Sequence, residues 1–448
     1  MASITDMTEG KPSKILFKFA IPMLISVIFQ QLYNIADSVV VGQFVGADAL
    51  AAVGASYPIT MIFMAVATGS NIGCSVVISQ LFGAKQYEKL KTAISTSLIS
   101  IITLSIFITG LGLWGSGLLM TLLHTPDNIF QDSALYLNIY IGGLIFLFLY
   151  NICTGVFTAL GDSTTPLWFL IASSIGNIIL DILFVVGFKW GVAGVAWATF
   201  IAQGIASILA ALALVKRTKQ IHTEEHYPKF SKEMLGRIAK VAIPSILQQS
   251  FISVGNLFIQ GLVNSYGSNI IAGYSAAIKL NTFAITSFTT MASSLSSFTA
   301  QNIGAKKIQR IKEGFKEALK LMICVVIPFI FLFFCLPKQM IQIFMNATNI
   351  EAIKVGETFL RIVAPFYLVI AVKLMADGIL RGAGVMWAFM VTTFSDLILR
   401  VILAFILAIP FGSTGIWLSW PIGWVIATII SCIFYFKGIW HKKNEMCE

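Results

Sequence analysis

Apolar side chains in this chain run in unbroken stretches of about 20 to 30 residues, each long enough to cross a bilayer as a helix. The pattern predicts twelve spans, at roughly 15–42, 49–80, 93–115, 130–160, 164–187, 191–215, 237–263, 270–302, 317–337, 352–381, 385–410 and 414–437. Several exceed the length a bilayer needs, so tilted or kinked helices are expected. Pro22, Pro244, Gly194 and Pro421 fall inside spans, where neighbouring helices can satisfy freed backbone groups. The one long polar stretch, 216–236, reads as a linker.

The twelve spans are two copies of six. Ala20-Ile21-Pro22 returns as Ala242-Ile243-Pro244, and Gln80-Leu81-Phe82-Gly83-Ala84-Lys85 returns as Gln301-Asn302-Ile303-Gly304-Ala305-Lys306. Matched positions lie 222 and 221 residues apart, so the copies have stayed nearly in register. An even number of spans per copy runs both in the same direction. The expected architecture is therefore all-α and membrane-integral, with two six-helix bundles related by a pseudo-two-fold axis along the membrane normal and a cavity between them. The expected domains are an N-terminal lobe at 1–215, a linker at 216–236 and a C-terminal lobe at 237–448.

Composition agrees: 57% of the 448 residues are hydrophobic, 11% are charged, and the mean hydropathy is +0.86. Soluble domains carry about 25% charged residues, too many for this class. The net charge of +10 is a topology signal, because 22 of the 30 Lys and Arg fall in segments that share one side with the N-terminus. That side is expected to be the cytoplasm, with both termini and the linker there and the protein in the inner (plasma) membrane. The same distribution argues against nucleic acid as a partner. No cleavable signal peptide is expected, since the polar start leads directly into a full-length apolar segment. The six cysteines show no metal-ligand spacing and read as small packing residues.

Ionisable residues inside spans are costly and point to function. Asp37 lies nine residues before Gly46, Asp181 six before Gly187 with Asn177 one turn earlier, and Thr199 eight residues into the sixth span. At about 1.5 Å per residue, all four sit at one depth, roughly 9 to 15 Å below the outer surface. Gln30, Asn34 and Asp37 share a face of the first helix. Two carboxylates with amide and hydroxyl oxygens beside them suit a hard cation such as sodium. They suit protons equally, because burial and mutual repulsion favour the neutral acid. The plainer alternative, in which each aspartate glues helices by pairing with a base, meets no Lys or Arg at this depth in the first half.

Pro22, Gln31-Leu32-Tyr33-Asn34-Ile35-Ala36-Asp37, Val41-Gly42 and the Gln-x-x-Gly-Ala-Lys loop resemble the multidrug and toxic compound extrusion (MATE) family. Thr154-Gly155-Val156-Phe157-Thr158-Ala159-Leu160-Gly161-Asp162 and Asp377-Gly378-Ile379-Leu380-Arg381-Gly382-Ala383-Gly384 resemble its inner-loop motifs. The resemblance spans nearly the whole chain. It implies secondary active efflux of amphipathic, mainly cationic, drug-like small molecules in exchange for sodium ions or protons. No cofactor, transition metal or enzymatic activity is implied, and the protein is expected to be monomeric in the bilayer. In prokaryotic members, the cation site of the N-terminal lobe matches Asp37, Asn177, Asp181 and Thr199. A C-lobe site of the kind found in another branch is not expected, because Gln248, Gln249 and Ile252 stand where that branch carries a glutamate, and the only aspartate of the tenth span, Asp377, lies near its inner end.

The second half has its own polar features. Gln249, Ser253, Asn256 and Gln260 form one stripe, which could line a cavity or knit helices together. Lys279 and Arg400 sit at the depth of the aspartates, and Asp396 stands one turn before Arg400. They read either as a buried ion network, with Asp396 and Arg400 paired and Lys279 joining them, or as contacts to anionic or zwitterionic cargo. Tyr33, Met61, Met64, Phe148, Phe283, Phe288 and Met291 are candidates for a permissive apolar pocket, with Gln30, Asn34, Gln249 and Asn256 beside them. A flippase for lipid-linked precursors, or an exporter of anionic or zwitterionic metabolites, is the alternative function.

Overall fold

The computed structural model describes residues 5–123, 125–221, 223, 227–345 and 349–441, and of 38, 43, 47, 48, 50 and 122 the backbone alone. The described residues form helices and no strand. The first half contains α1 (Pro12–Val40), α2 (Ala47–Gly83), α3 (Tyr87–Leu122), α4 (Asp127–Gly142), α5 (Leu144–Ala159), α6 (Thr164–Ile182) and α7 (Gly191–Lys219). The second contains α8 (Lys232–Asn264), α9 (Ser268–Gly304), α10 (Ile308–Ile330), the short α11 (Pro337–Gln342), α12 (Ile350–Val363), α13 (Tyr367–Gly382), α14 (Met386–Phe411) and α15 (Ser413–Phe436).

Among the described residues, ten helical segments are long and apolar enough to cross a membrane, and the bent pair α4–α5 makes an eleventh. The twelfth expected span is α9, which has the length but not the apolarity. Ser294, Ser296, Ser297, Thr299, Gln301 and Asn302 are buried along it. Small hydroxyl side chains turned toward neighbouring helices allow close packing and lower the hydropathy of a helix that meets little lipid. The span expected at 130–160 is not one helix: it breaks at Gly143 with a bend of 46°. The span expected at 352–381 is likewise interrupted, by a tight turn at Ala364–Phe366 around Pro365. Helix also takes both ends of the expected linker, since α7 runs to Lys219 and α8 begins at Lys232. His124, His222, His226, Lys442, Lys443 and Cys447 lie outside the described residues, and Cys74, Cys153, Cys324, Cys335 and Cys432 are free thiols.

The repeat is visible in the backbone as well as in the sequence. Left-handed residues recur at matched places: Gly46 and Gly267, Lys85 and Lys306, Gly161 and Gly384, Gly191 and Gly412. Gly161 and Gly384 fall at or next to the ends of their motifs with φ of 77° and 75°, a region that costs residues with a Cβ.

By contacts the chain divides into two units, Met1–Asp6 with Ile21–Ser250, and Met7–Ala20 with Phe251–Glu448. The core of the first gathers Phe63, Leu81, Leu147, Phe148, Val156 and Phe157 from α2 and α5. The core of the second is aromatic. Phe288 meets Tyr367 and Phe329 edge-on at 5.5 and 5.6 Å between ring centres, and the Tyr367 hydroxyl donates to Asn281 Oδ1 at 2.9 Å. In this unit α13 lies directly on α9: a Cβ on Gly382 would stand 2.3 Å from the Ser296 carbonyl oxygen, and one on Gly378 2.7 Å from that of Ala292. Gly382→Val is therefore expected to force the two backbones apart at a cost of at least about 1–3 kcal/mol. A lowered unfolding temperature of the purified variant checks it; an unchanged one contradicts the packing described.

Candidate functional site

α1 and α6 each carry an aspartate just before the helix widens. Four residues after Asp37, the backbone passes into a π-helical turn at Val41–Val45, where the Gly46 N–H donates to the Val41 carbonyl at 3.1 Å. Two residues after Asp181, the same happens at Leu183–Gly187, with the Phe188 N–H donating to the Leu183 carbonyl at 2.9 Å. Such turns are rare and concentrate at functional sites. Val40 and Val41 pack with Val185, Val192 and Val195, and Tyr136 of α4 closes over this cluster.

The first unit brings all four expected ligands together. Asp181 and Asn177 are buried, and Asp37 and Thr199 are half-buried. The carboxyl groups of Asp37 and Asp181 come within hydrogen-bonding reach of each other. Asn177, with its amide nitrogen turned to the carboxylate, donates to Asp181 Oδ2 at 2.7 Å and accepts from the Thr199 N–H at 3.1 Å. The Thr199 hydroxyl stands 3.3 Å from the same amide and within reach of the Tyr33 hydroxyl. Asp37 Oδ1 and Asp181 Oδ1 are buried with no hydrogen-bond partner, and no Lys or Arg pairs with either residue among the described residues. Two carboxylates this close repel unless a proton or a metal cation is held between them. Oxygen ligands of this kind suit sodium, and the carboxyl pair suits a proton. No cluster of three or more His, Cys, Asp or Glu that could hold a transition metal occurs among the described residues.

Tyr136 and Tyr140 were not among the expected site residues. They stack at 6.4 Å on α4, and Tyr136 lies within electrostatic reach of both carboxyl groups and of Tyr33. Two tyrosines one turn apart in the 130–160 span were the signal available. Asp162 makes a useful contrast. Its carboxylate accepts from the Thr165 N–H at 3.0 Å and hydroxyl at 2.7 Å, and pairs with Arg217 at 2.6 Å. Each lone pair in use there has a donor, so Asp162 ties α6 to α7.

The remaining candidates scatter. Gln30 and Asn34 lie on an exposed stretch of α1, where Asn34 donates to Gln31 at 3.3 Å. Met64 packs against the core of the first unit, and Gln249 is half-buried in the same unit. Asn256 is exposed on α8. Phe288 is fully buried in the aromatic core, a packing position rather than a pocket wall, and Phe148 and Met291 are buried likewise. The expected Asp396–Arg400 pair does not form. The Arg400 guanidinium instead stacks 4.2 Å from the centre of the Trp420 ring, while Lys279 lies 5.8 Å from that of Phe344. A desolvated cation–π contact contributes about 2 kcal/mol, and a charge in a bilayer costs at least about 2.5 kcal/mol. Trp420 therefore does not by itself compensate Arg400. Near the end of α13, Lys373 pairs with Asp377 at 3.0 Å, and Asp377 also accepts from Thr392 and Ser431, each at 2.9 Å. That group holds helices together.

Comparison with known proteins agrees with this architecture. The MatE family model matches residues 22–183 and 244–406. The chain is 29% identical over 451 residues to the probable multidrug resistance protein YpnP of Bacillus subtilis strain 168, covering 99% of both chains. It is 23% identical to the multidrug export protein MepA of Staphylococcus saprophyticus, over 93% of this chain and 92% of that one. The outward-facing structure of a multidrug resistance MATE family transporter superimposes with a TM-score of 0.92 over 99% of each chain, at 24% identity.

The contrast between the two kinds of aspartate predicts opposite effects on stability. Arg217→Ala strands a buried carboxylate and is expected to cost about 3–5 kcal/mol. Asp181→Asn removes an uncompensated charge and is expected to leave the purified protein equally or more resistant to heat. Thermal unfolding of the two variants side by side checks this; the reverse order contradicts it.

Proposed function

This chain belongs to the MatE family, whose members are membrane transporters and not enzymes, and we propose that it is a monomeric secondary antiporter of the plasma membrane. In this reading it exports amphipathic, mainly cationic compounds in exchange for sodium ions or protons. The observation that carries the reading is the Asp37–Asp181 carboxyl pair, its two Oδ1 atoms buried in an apolar bundle with no basic partner among the described residues. A pair so placed must take up a cation, and a gradient can supply it. The names of YpnP and MepA, which concern multidrug resistance and export, support drug-like cargo. The concentration of 22 of the 30 Lys and Arg in segments on one side supports cytoplasmic termini.

The mechanism is alternating access. Cation loading removes the repulsion between the two carboxylates. Unloading restores it, so the loaded and empty forms favour different packings of the wide turns that follow α1 and α6. Substrate that prefers the empty form is thereby expelled on loading. A tenfold antagonism between cation and substrate requires a coupling of only about 1.4 kcal/mol. Asn177 and Thr199 orient Asp181, and the phenols of Tyr33 and Tyr136 wall off the pair. The alternative of a flippase, or of an exporter of anionic or zwitterionic metabolites, is favoured by the unpaired Arg400 of the second unit.

Reconstituted in vesicles and driven by separately imposed sodium and pH gradients, the protein should export a cationic dye under at least one of them. Asp37→Asn and Asp181→Asn should each reduce gradient-driven export at least about 100-fold, leaving membrane insertion intact. Full export by either variant would end the assignment.

A further inference from the structure

The second unit holds a set of buried polar groups that the carboxyl pair does not use. Asp396 and Arg400 stand one turn apart on α14, and both are buried. Asp396 Oδ1, Arg400 Nε and Trp420 Nε1 are each sealed from solvent and have no hydrogen-bond partner. Asp396 and Arg400 could reach each other at this spacing, yet no ion pair joins them. The Trp420 ring holds the guanidinium by its face, and the Asp396 Oδ1 oxygen presses toward the Gly423 backbone, where a Cβ would stand at 2.9 Å. Gly423 therefore makes room for Asp396 on α15, and Trp420 one turn earlier makes a platform for Arg400.

The surroundings are aromatic. Tyr274 of α9 lies within electrostatic reach of Arg400 and stacks on Trp417 at 5.0 Å, and Phe359 meets Trp417 and Trp420 edge-on at 5.3 and 5.8 Å. The repeat places this cluster on the helix that corresponds to α6. The offsets of 223 residues between Gly161 and Gly384 and of 221 between Gly191 and Gly412 put Arg400 opposite positions 177 to 179 of α6. Where the first unit gathers carboxylates, the second offers opposite charges held apart.

A charge left unpaired inside a bundle calls for a partner. Arg400 and Trp420 need an acceptor, and a planar guanidinium fits a carboxylate. Asp396 needs a donor, and an ammonium supplies one. From this geometry we infer that the second unit binds a small zwitterion, its carboxylate on Arg400 and Trp420 and its ammonium on Asp396. A ligand carrying both charges leaves the site neutral, which neither a simple anion nor a simple cation does. The inference uses the second unit alone and does not depend on ion coupling at Asp37 and Asp181.

The test uses the full-length protein in detergent micelles with no gradient imposed, so a failure of coupling cannot be mistaken for a failure of binding. Three probes are titrated by calorimetry: phenylalanine, its amide (which lacks the carboxylate) and N-acetylphenylalanine (which lacks the ammonium). Phenylalanine is expected to bind saturably, and each derivative at least about tenfold more weakly, a difference of about 1.4 kcal/mol. Arg400→Gln should abolish the preference for phenylalanine over its amide, and Asp396→Asn the preference over the N-acetyl form. Where either variant fails to fold, the three probes on the unaltered protein decide alone. Equal binding of phenylalanine and either derivative, or no saturable binding of phenylalanine, overturns the proposal.

Discussion

The structure turns on two carboxyl groups, Asp37 and Asp181, held against each other inside an apolar bundle with no counter-charge among the described residues. Each charge in a bilayer costs at least about 2.5 kcal/mol, and their mutual repulsion adds to this. Asp162 shows what a settled buried carboxylate looks like in the same unit, with a guanidinium at 2.6 Å and two further donors at 3.0 Å or less. The Asp37–Asp181 pair has one amide, from Asn177, and a ring of phenols. In the proposed reading, an arrangement so incompletely compensated is stabilised by a cation and is responsive for that reason. The π-helical turns directly beyond both aspartates place a wide, less regular backbone where a change of charge can alter the packing.

The second half repeats the backbone and changes the chemistry. Its turns fall at matched glycines and lysines, and its α9 plays the part of α2. Duplication conserves what the helix ends need and frees the mid-helix positions to diverge. The helix pair α6 and α14 is the sharpest case: α14 carries a guanidinium on an indole face, and α6 an amide on a carboxylate.

Much of this was legible in the sequence because it depends on periodicity and depth. Long apolar runs set the spans, the 222-residue echo set the repeat, and counting residues from Gly46 and Gly187 put Asp37 and Asp181 at one level. What was lost depends on direction around a helix and on rotamers. Gln30, Asn34 and Asp37 share a face by count, yet Gln30 and Asn34 lie exposed while Asp37 turns to α6. Asp396 and Arg400 have ion-pair spacing, yet Trp420, twenty residues on, captures the guanidinium. Phe288 could not be told from a pocket aromatic until Tyr367 and Phe329 were seen around it. The break at Gly143 was hidden because an apolar run continues unchanged through a 46° bend.

In the proposed mechanism the carboxyl pair itself gains and loses the cation. Infrared difference spectroscopy of the purified protein, recorded on adding sodium and on changing pH, reads this at the carboxyl groups. A carboxyl band should appear or disappear with the cation and be absent from the Asp181→Asn spectrum. A cation-independent spectrum, or a band that persists unchanged in that variant, would contradict it.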